Sequence, residues 1–415
     1  MNEIDVAFSV IIPVCNKWHL TEQCLRSLRA CTSEYPFEVL VVDNGSSDET
    51  VTELDSLGKA LFGGHFLALR LPVNKNFGPA CNLGAAQARA PLLFFLNNDT
   101  ILTEGWAPPL VEALQRERHL AGTGPLLLYA NKTVQHVGVV FTTLHPIHLY
   151  RHFPSQHKAV GKERFVQTLT AAALMLPATL FAQAGGFWEE YRNGFEDVDL
   201  CLRLASKGLK FKCLPQSVIY HLESQTPGRG RANDDNARIL QRRCGKLFQP
   251  DLHIHGLRDG FEPFVAGDLD IALRMSESEE QALLAEVEGK PLDVWQQLIV
   301  ENPLWFRGRK HLAQLAEEQG NIRLAVLLYQ NIAFVTKDRR WYAKILSLQG
   351  RAGAAEAWIF EDAAKALRHL EQQEQGQTLI RRKLRAAQAW RDRLLQRLYE
   401  EKYAAMQAEV IAPVA

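Results

Sequence analysis

The chain has no excess charge of either sign: its 47 Lys and Arg residues are matched by 47 Asp and Glu. A balanced charge gives no whole-chain field for a polyanion, so nucleic acid is not expected as a partner, although local basic patches remain open. Seven cysteines, Cys15, Cys24, Cys31, Cys81, Cys201, Cys213 and Cys244, are scattered without a CxxC pair. That spacing argues against a zinc array or a disulfide framework and suits a reducing compartment. No window supplies the roughly 20 apolar residues of a membrane span. The apolar run Phe8 to Val14 follows Glu3 and Asp5 rather than a basic segment, so nothing there resembles a signal peptide. A cytoplasmic location is expected, with peripheral attachment at the inner face of a membrane left open. Also missing is a GxGxxG loop after the first apolar run, which makes NAD or FAD a poor expectation.

What is present is a series of apolar runs that end in polar turns. With 415 residues, two or three domains are expected. Val6 to Val14, Phe37 to Val42, Phe66 to Leu71 and Leu92 to Leu96 read as buried strands, separated by helix patterns at 21–30, 49–57 and from about 77 toward Pro91. Thr21 is a candidate cap for the first helix. Strand, turn and helix in alternation argue for an α/β class with a mostly parallel sheet. The stretch Leu92 to Thr100, LLFFLNNDT, is the pivot, because open α/β sheets bind ligands at the carboxyl ends of their strands. Asp99 is thereby expected where a hard cation meets a phosphate.

Other polar clusters fall at similar strand exits. Asp43 follows the second strand, and Gly78 opens a helix whose first N–H groups are expected to face an anion. A second carboxylate group, Glu196, Asp197 and Asp199, starts a helix in which Arg203 pairs with Asp199 at i,i+4, leaving Glu196 and Asp197 for the crevice or solvent. His221 leaves another apolar segment, read as two pieces at 211–214 and 217–220, and converges with Asp99 on one metal in the functional reading. Short strands are expected at 126–129 and 137–141, and a small-residue strand within 166–177. His145, His148, His152 and His157 lie in a polar segment without cysteines, read as a loop or acceptor-side lid rather than a zinc site. Arg229, Arg231, Arg242, Arg243 and Lys246 make the following stretch basic, facing phosphate or solvent.

The ordered set SVIIPVCN at 9–16, VVDNGSSD at 41–48, NKNFGPACNLG at 74–84, LNNDT at 96–100, GFEDVDLCLR at 194–203 and YHLES at 220–224 resembles family 2 glycosyltransferases, within them the rhamnosyltransferase-like bacterial branch. The resemblance implies a GT-A nucleotide-diphospho-sugar transferase fold over residues 1–248. It further implies a donor held by Pro13, Asp43, Asn44, Asn76, Gly78, Asn82, Asn98 and Asp99. Asp99 would be the last position of the family's DxD element and, with His221, a ligand for Mn²⁺ or Mg²⁺; Asn97 replaces the first carboxylate of that element. Asp197 looks like the family's general base, Glu196 would support catalysis and orient the acceptor, and Trp188 would stack on a sugar face. A core tryptophan is the equal alternative. The implied reaction is inverting transfer of a sugar, UDP- or dTDP-linked, to a glycan, lipid-linked glycan or protein hydroxyl. Two other readings stand beside it, a nucleotidyltransferase and a helical adaptor carrying a degenerate nucleotide-sugar-binding domain.

After Phe248 the composition turns helical. A linker and helical extension is expected over 249–300, then a region over 301–375 in which Ala316, Gly320, Ala325 and Tyr329 resemble one tetratricopeptide unit, then a long C-terminal helix and tail over 376–415. This all-helical part is expected to pack back, to associate with itself or to bind a protein partner.

Overall fold

Each early apolar run becomes a strand and each amphipathic run a helix. They are β1 (Phe8–Val14), α1 (Trp18–Ala30), β2 (Phe37–Asn44), α2 (Thr50–Phe62), β3 (Phe66–Leu71), α3 (Phe77–Gln87) and β4 (Leu92–Leu96). The computed structural model describes residues 6–143, 145–222, 233–372 and 376–411. β1 pairs in parallel with β2 and with β4, and β2 in turn with β3. The strand order therefore reverses between β1 and β4, and their carboxyl ends border the place where such sheets bind ligands.

The sheet then turns mixed. The chain continues with β5 (Thr100–Leu102), α4 (Ala107–Arg116), β6 (Leu120–Leu128), β7 (Val134–His136), β8 (Val139–Phe141), β9 (Pro146–His148), β10 (Arg164–Val166), β11 (Ala173–Pro177), α5 (Ala178–Gln183), α6 (Glu196–Ala205), β12 (Lys210–His221) and α7 (Asn233–Cys244); β8 and β9 pair with each other apart from the main sheet, and the other strands join it. The order is β10-β12-β6-β11-β4-β1-β2-β3, with β5 on β12 and β7 on β6. β11 runs antiparallel to β4 and β6, whereas β12 is parallel to β6. The expected α/β class is what the structure has. Phe94 and Trp106 are buried together, stacked with centroids 4.6 Å apart, and the indole N–H donates to Thr32 Oγ1 at 2.9 Å, so the core tryptophan leaves no polar debt.

Three local differences have physical causes. β6 begins at Leu120 rather than 126, because Gly122 and Gly124 serve packing instead of turning. A Cβ at Gly122 would stand 2.9 Å from the Met175 carbonyl oxygen, so only glycine lets β11 approach there. β12 is one strand, not two; a register shift between Leu214 and Val218 absorbs the Pro215 that suggested a break. Thr21 does not cap α1. That helix starts at Trp18, whose N–H donates to Asp48 Oδ2 at 2.9 Å, so the cap arrives from the turn after β2.

By chain contacts there are two compact units, Met1–Val140 with Ile147–Phe248, and Phe141–Pro146 with Gln249–Ala415. The second contains α8 (Leu252–Arg258), β13 (Glu262–Val265), β14 (Ile271–Arg274), α9 (Glu277–Val287), α10 (Leu292–Glu301), α11 (Phe306–Glu318), α12 (Ile322–Thr336), α13 (Arg339–Ser347), α14 (Ala357–Gln372), α15 (Gly376–Ala389) and α16 (Arg393–Ile411). It is helical apart from the β13–β14 hairpin. α11 and α12 are joined by Gly320 at φ 76 and by Asn321, whose side chain accepts the Leu324 N–H at 3.2 Å. The one long helix expected within 376–415 is two. Arg391 stands at φ 56, and Asp392 caps α16 by accepting the Leu395 N–H at 3.0 Å while its other oxygen meets His253 Nε2 at 2.7 Å. Among the described residues no helix is long and apolar enough to cross a membrane. All seven cysteines are free thiols.

Candidate functional site

The five apolar residues of β4 end at Asn97, whose N–H donates to the Ala172 carbonyl at 3.0 Å and so fixes where the polar residues emerge. Asn98 turns toward α1, its amide donating to Thr21 Oγ1 at 2.9 Å. Asp99 is buried, and the next residue opens β5, which pairs antiparallel with the end of β12 in the register His221 to Thr100. That register brings Asp99 and His221 together. Nε2 of His221 lies 3.1 Å from Asp99 Oδ1, and the Asn97 amide nitrogen is also 3.1 Å from Nε2. On its other side His221 Nδ1 is 2.6 Å from Oε1 of Gln135, in β7.

One carboxylate oxygen and one imidazole nitrogen are a donor pair that suits Mn²⁺, with phosphate oxygens and water needed to complete its coordination. Among the described residues no group of three or more His, Cys, Asp or Glu side chains is gathered in this way. The donor chemistry therefore fits a cation carried jointly with a phosphorylated substrate. The other histidines go to separate partners: His148 to His136, with Nδ1 atoms 2.9 Å apart, His152 to the Tyr129 ring and His157 to the Phe153 ring.

α6 delivers the second carboxylate pair through a turn held in the left-handed region, with Asn193 at φ 51 and Phe195 at φ 72. A bulky residue in that region costs roughly 1–2 kcal/mol, so the turn needs outside support. Asn236 of α7 supplies it: its side chain accepts the Arg192 N–H and donates to the carbonyls of Arg192 and Gly194. Glu196 is buried and accepts the Gly194 N–H at 2.6 Å. Asp197 is half-buried and accepts from the N–H groups of Ala171, at 3.0 Å, and Val198, at 2.8 Å. Burial pushes its carboxyl above the usual carboxylate range, against the pull of those N–H groups and the Thr170 hydroxyl. Ala171 thus holds Asp197 while its neighbour Ala172 holds Asn97, so adjacent residues tie both carboxylate segments to one stretch of chain.

Asp199 forms the expected pair with Arg203, at 2.6 Å, and a second one, also 2.6 Å, with Arg243 of α7. Burial alone would raise it, but Arg243 and Arg203 outweigh that and hold its carboxyl below the usual range. Arg243 also stacks on Trp188, its guanidinium carbon 3.6 Å from the ring centroid. One face of that half-exposed indole is therefore taken by an arginine. Arg242 meets Glu190 at 3.6 Å. Arg229 and Arg231, and the last two residues of the YHLES motif, lie outside the described residues.

The remaining positions line the carboxyl ends of β1 and β2. Pro13 is half-buried opposite Val42. Asp43 is buried, accepting from Ser46 N–H at 2.9 Å and from Arg70 at 3.0 Å. Asn44 spends its amide on the 74–76 loop, accepting the Lys75 N–H and donating to the Asn76 carbonyl. Asn76 itself sits at φ 70 just before α3. The first N–H of α3 is not open to an anion as expected: Phe77 N–H donates to Asn193 Oδ1 at 2.9 Å. A Cβ at Gly78 would stand 3.3 Å from Phe187 Cβ, so the glycine admits that packing. Asn82 clamps the same segment, accepting the Phe187 N–H and donating to the Phe187 carbonyl and Glu189. The sequence missed Gln135, Asn193 and Asn236; each acts on a residue far away in sequence, which no local pattern records.

The sequence is also similar to known proteins. Residues 9–139 match the family described as Glycosyl transferase family 2. The chain is 32% identical over 223 residues to the O-antigen biosynthesis protein RfbC of Myxococcus xanthus, covering 52% of this chain and 17% of that protein. It is 28% identical over 238 residues to the N-acetylglucosaminyl-diphospho-decaprenol L-rhamnosyltransferase of Mycobacterium tuberculosis, covering 51% of this chain and 75% of that one. A crystal structure of GalNAc-T7 with UDP, GalNAc and Mn²⁺ is similar at a TM-score of 0.46 and 18% identity, over 58% of this chain and 48% of that chain, too loosely to add to the sequence matches. The N-terminal half is thus similar to glycosyltransferases of family 2 and to bacterial rhamnosyltransferase-like enzymes, and the chain spans only 17% of the length of the first of these relatives.

Proposed function

We propose that the chain transfers a sugar from a UDP- or dTDP-linked donor to a hydroxyl of a glycan, lipid-linked glycan or protein, with inversion at the anomeric carbon. The observation that carries this reading is the anchoring of Asp197 and of the Asn97–Asp99 segment to the adjacent residues Ala171 and Ala172. A base and a diphosphate-binding carboxylate must lie on either side of one sugar, and the shared anchoring at Ala171 and Ala172 supports Asp197 and Asp99 as that pair.

In the proposed reaction Asp197 accepts the proton of the acceptor hydroxyl. The acceptor oxygen forms its bond to the anomeric carbon as the bond from that carbon to the diphosphate breaks, and the nucleoside diphosphate leaves. Glu196 stiffens the turn that presents Asp197, through its bond to the Gly194 N–H. Asp99 and His221 would hold a Mn²⁺ or Mg²⁺ whose charge offsets that of the departing diphosphate. Asp43 offers acceptor oxygens to the base or ribose, with Pro13 and Asn44 shaping the adjoining loops and Asn76 turning the chain into α3. Asn82 and Gly78 serve the site by seating the 187–189 segment, where Trp188 offers its uncovered face to the acceptor sugar. Asn98 steadies the exit of β4 through Thr21.

Beyond the catalytic unit, the α11–α12 pair resembles a single tetratricopeptide hairpin, and we assign the C-terminal helices to self-association or to a protein partner. The test of the function is release of nucleoside diphosphate from a panel of nucleotide sugars with Mn²⁺ or Mg²⁺, followed by mass. Release from one donor identifies base and sugar. Pyrophosphate as the product instead would make the chain a nucleotidyltransferase, and binding of no donor would favour the adaptor reading.

A further inference from the structure

Gln135 is the middle residue of the three-residue strand β7 and is 4% exposed. A buried amide costs free energy unless its polar atoms are paired. Gln135 directs both kinds of polar atom at one residue. Its Nε2 donates to the backbone carbonyl of His221 at 3.2 Å, and its Oε1 stands 2.6 Å from Nδ1 of the same histidine. A carbonyl oxygen only accepts, so the Gln135 amide cannot be turned over without setting oxygen against oxygen. With that orientation fixed, Nδ1 must carry a proton and donate it to Oε1. The neutral ring then has its lone pair on Nε2, the atom 3.1 Å from Asp99 Oδ1.

We propose that Gln135 is a positioning residue for a divalent-cation site, fixing the His221 tautomer and ring angle so that the Nε2 lone pair and the Asp99 carboxylate face one point. The proposal rests on the metal-assisted reading above and adds to it the residue that prepares the ligand. A histidine ligand commonly donates its other N–H to such a partner, which orients the ring and raises its basicity. Asn97 serves the same point differently: its amide lies 3.1 Å from Nε2 and must yield that lone pair when a cation arrives.

The test is Mn²⁺ affinity, measured by calorimetry and by electron paramagnetic resonance on the full chain with UDP present. Gln135→Leu, which keeps an apolar body but cannot accept, is expected to weaken Mn²⁺ binding about 10- to 100-fold. Gln135→Glu keeps an acceptor for Nδ1–H but sets its second oxygen against the His221 carbonyl, so it is expected to restore part of the affinity that Gln135→Leu loses. A tether of purely structural importance would instead lower the melting temperature and leave Mn²⁺ affinity unchanged, which overturns the proposal. If the wild-type chain binds UDP but no Mn²⁺, the metal-assisted reading fails as well; if it binds Mn²⁺ and Gln135→Leu binds it equally, only the role of Gln135 falls. Nitrogen NMR of His221 in the unaltered chain needs no variant. A protonated Nδ1 with an Nε2 resonance that moves on adding Mg²⁺ is expected, and the opposite tautomer contradicts the assignment.

Discussion

The two ends of the first turn of α6 treat their carboxylates in opposite ways. Asp197 accepts from neutral donors, the N–H groups of Ala171 and Val198 and the Thr170 hydroxyl, and burial carries its proton affinity upward. Asp199, two residues on, is fully buried yet flanked by Arg203 and Arg243, and its proton affinity falls. The same residue type on the same helix is prepared in one place to take a proton and in the other to keep two arginines in place. Environments that push neighbouring titratable groups apart are how acid–base roles are assigned within one fold. Here the difference separates a candidate base from a structural anchor, and each can be removed separately.

The largest effect is expected at Asp197. Asp197→Asn should lower the transfer rate about 10²- to 10⁴-fold, as loss of a general base does, while the protein remains folded by circular dichroism. Next comes Asp199→Ala, which breaks two ion pairs at a fully buried carboxylate and leaves two half-buried guanidinium groups without their shared counter-charge. A loss of about 3–5 kcal/mol in unfolding free energy, read by urea titration, is expected. If Asp197→Asn unfolds the protein and Asp199→Ala spares it, the contrast is reversed.

The pH dependence sharpens the same comparison. Asp197, raised in the folded state, favours folding when protonated; that contribution is complete below its unfolded pKa and is lost as pH rises through the folded value. Asp199, lowered in the folded state, favours folding when ionised; that contribution is present above its unfolded pKa and is lost as pH falls through the folded value. Asp197→Asn should therefore hold or raise the melting temperature at neutral pH, whereas Asp199→Asn should lower it there and flatten its acid dependence. The transfer rate should fall on the acid side through a pKa above that of an ordinary carboxylate, and that limb should vanish in Asp197→Asn. The smallest effect is expected from Arg243→Lys, which keeps the charge near Asp199 but loses the planar contact with Trp188. About 1–2 kcal/mol of stability should go, with a larger change in acceptor KM than in kcat if Trp188 meets the acceptor.

Much of this arrangement can be seen in the chain before it folds, and the pattern of success is instructive. The runs at 37–42, 66–71 and 92–96 are continuous and apolar, so their strands emerge where expected, as does the i,i+4 pair of Asp199 and Arg203. The meeting of Asp99 with His221 follows once β5 pairs with the end of β12, because that register puts His221 opposite the residue after Asp99. Illegible features are those in which a residue serves a distant one. Gly122 and Gly124 look like strand breakers until β11 is packed against them, and Asp48 looks like a local turn residue until it caps α1. Arg243 reads in sequence as a cation facing phosphate or solvent, yet its guanidinium joins Asp199 to Trp188. The break at 391–392 carries neither glycine nor proline; Asp392 becomes a cap where His253 also meets it.

The most direct test of the account compares nucleoside diphosphate release by the wild-type chain and Asp197→Asn, using the donor selected from the panel, with acceptor and Mn²⁺ present. The account predicts steady release by the wild type and at least a hundredfold less, about 3 kcal/mol in barrier, by a folded Asp197→Asn that still binds donor. Equal release by the two proteins would contradict it.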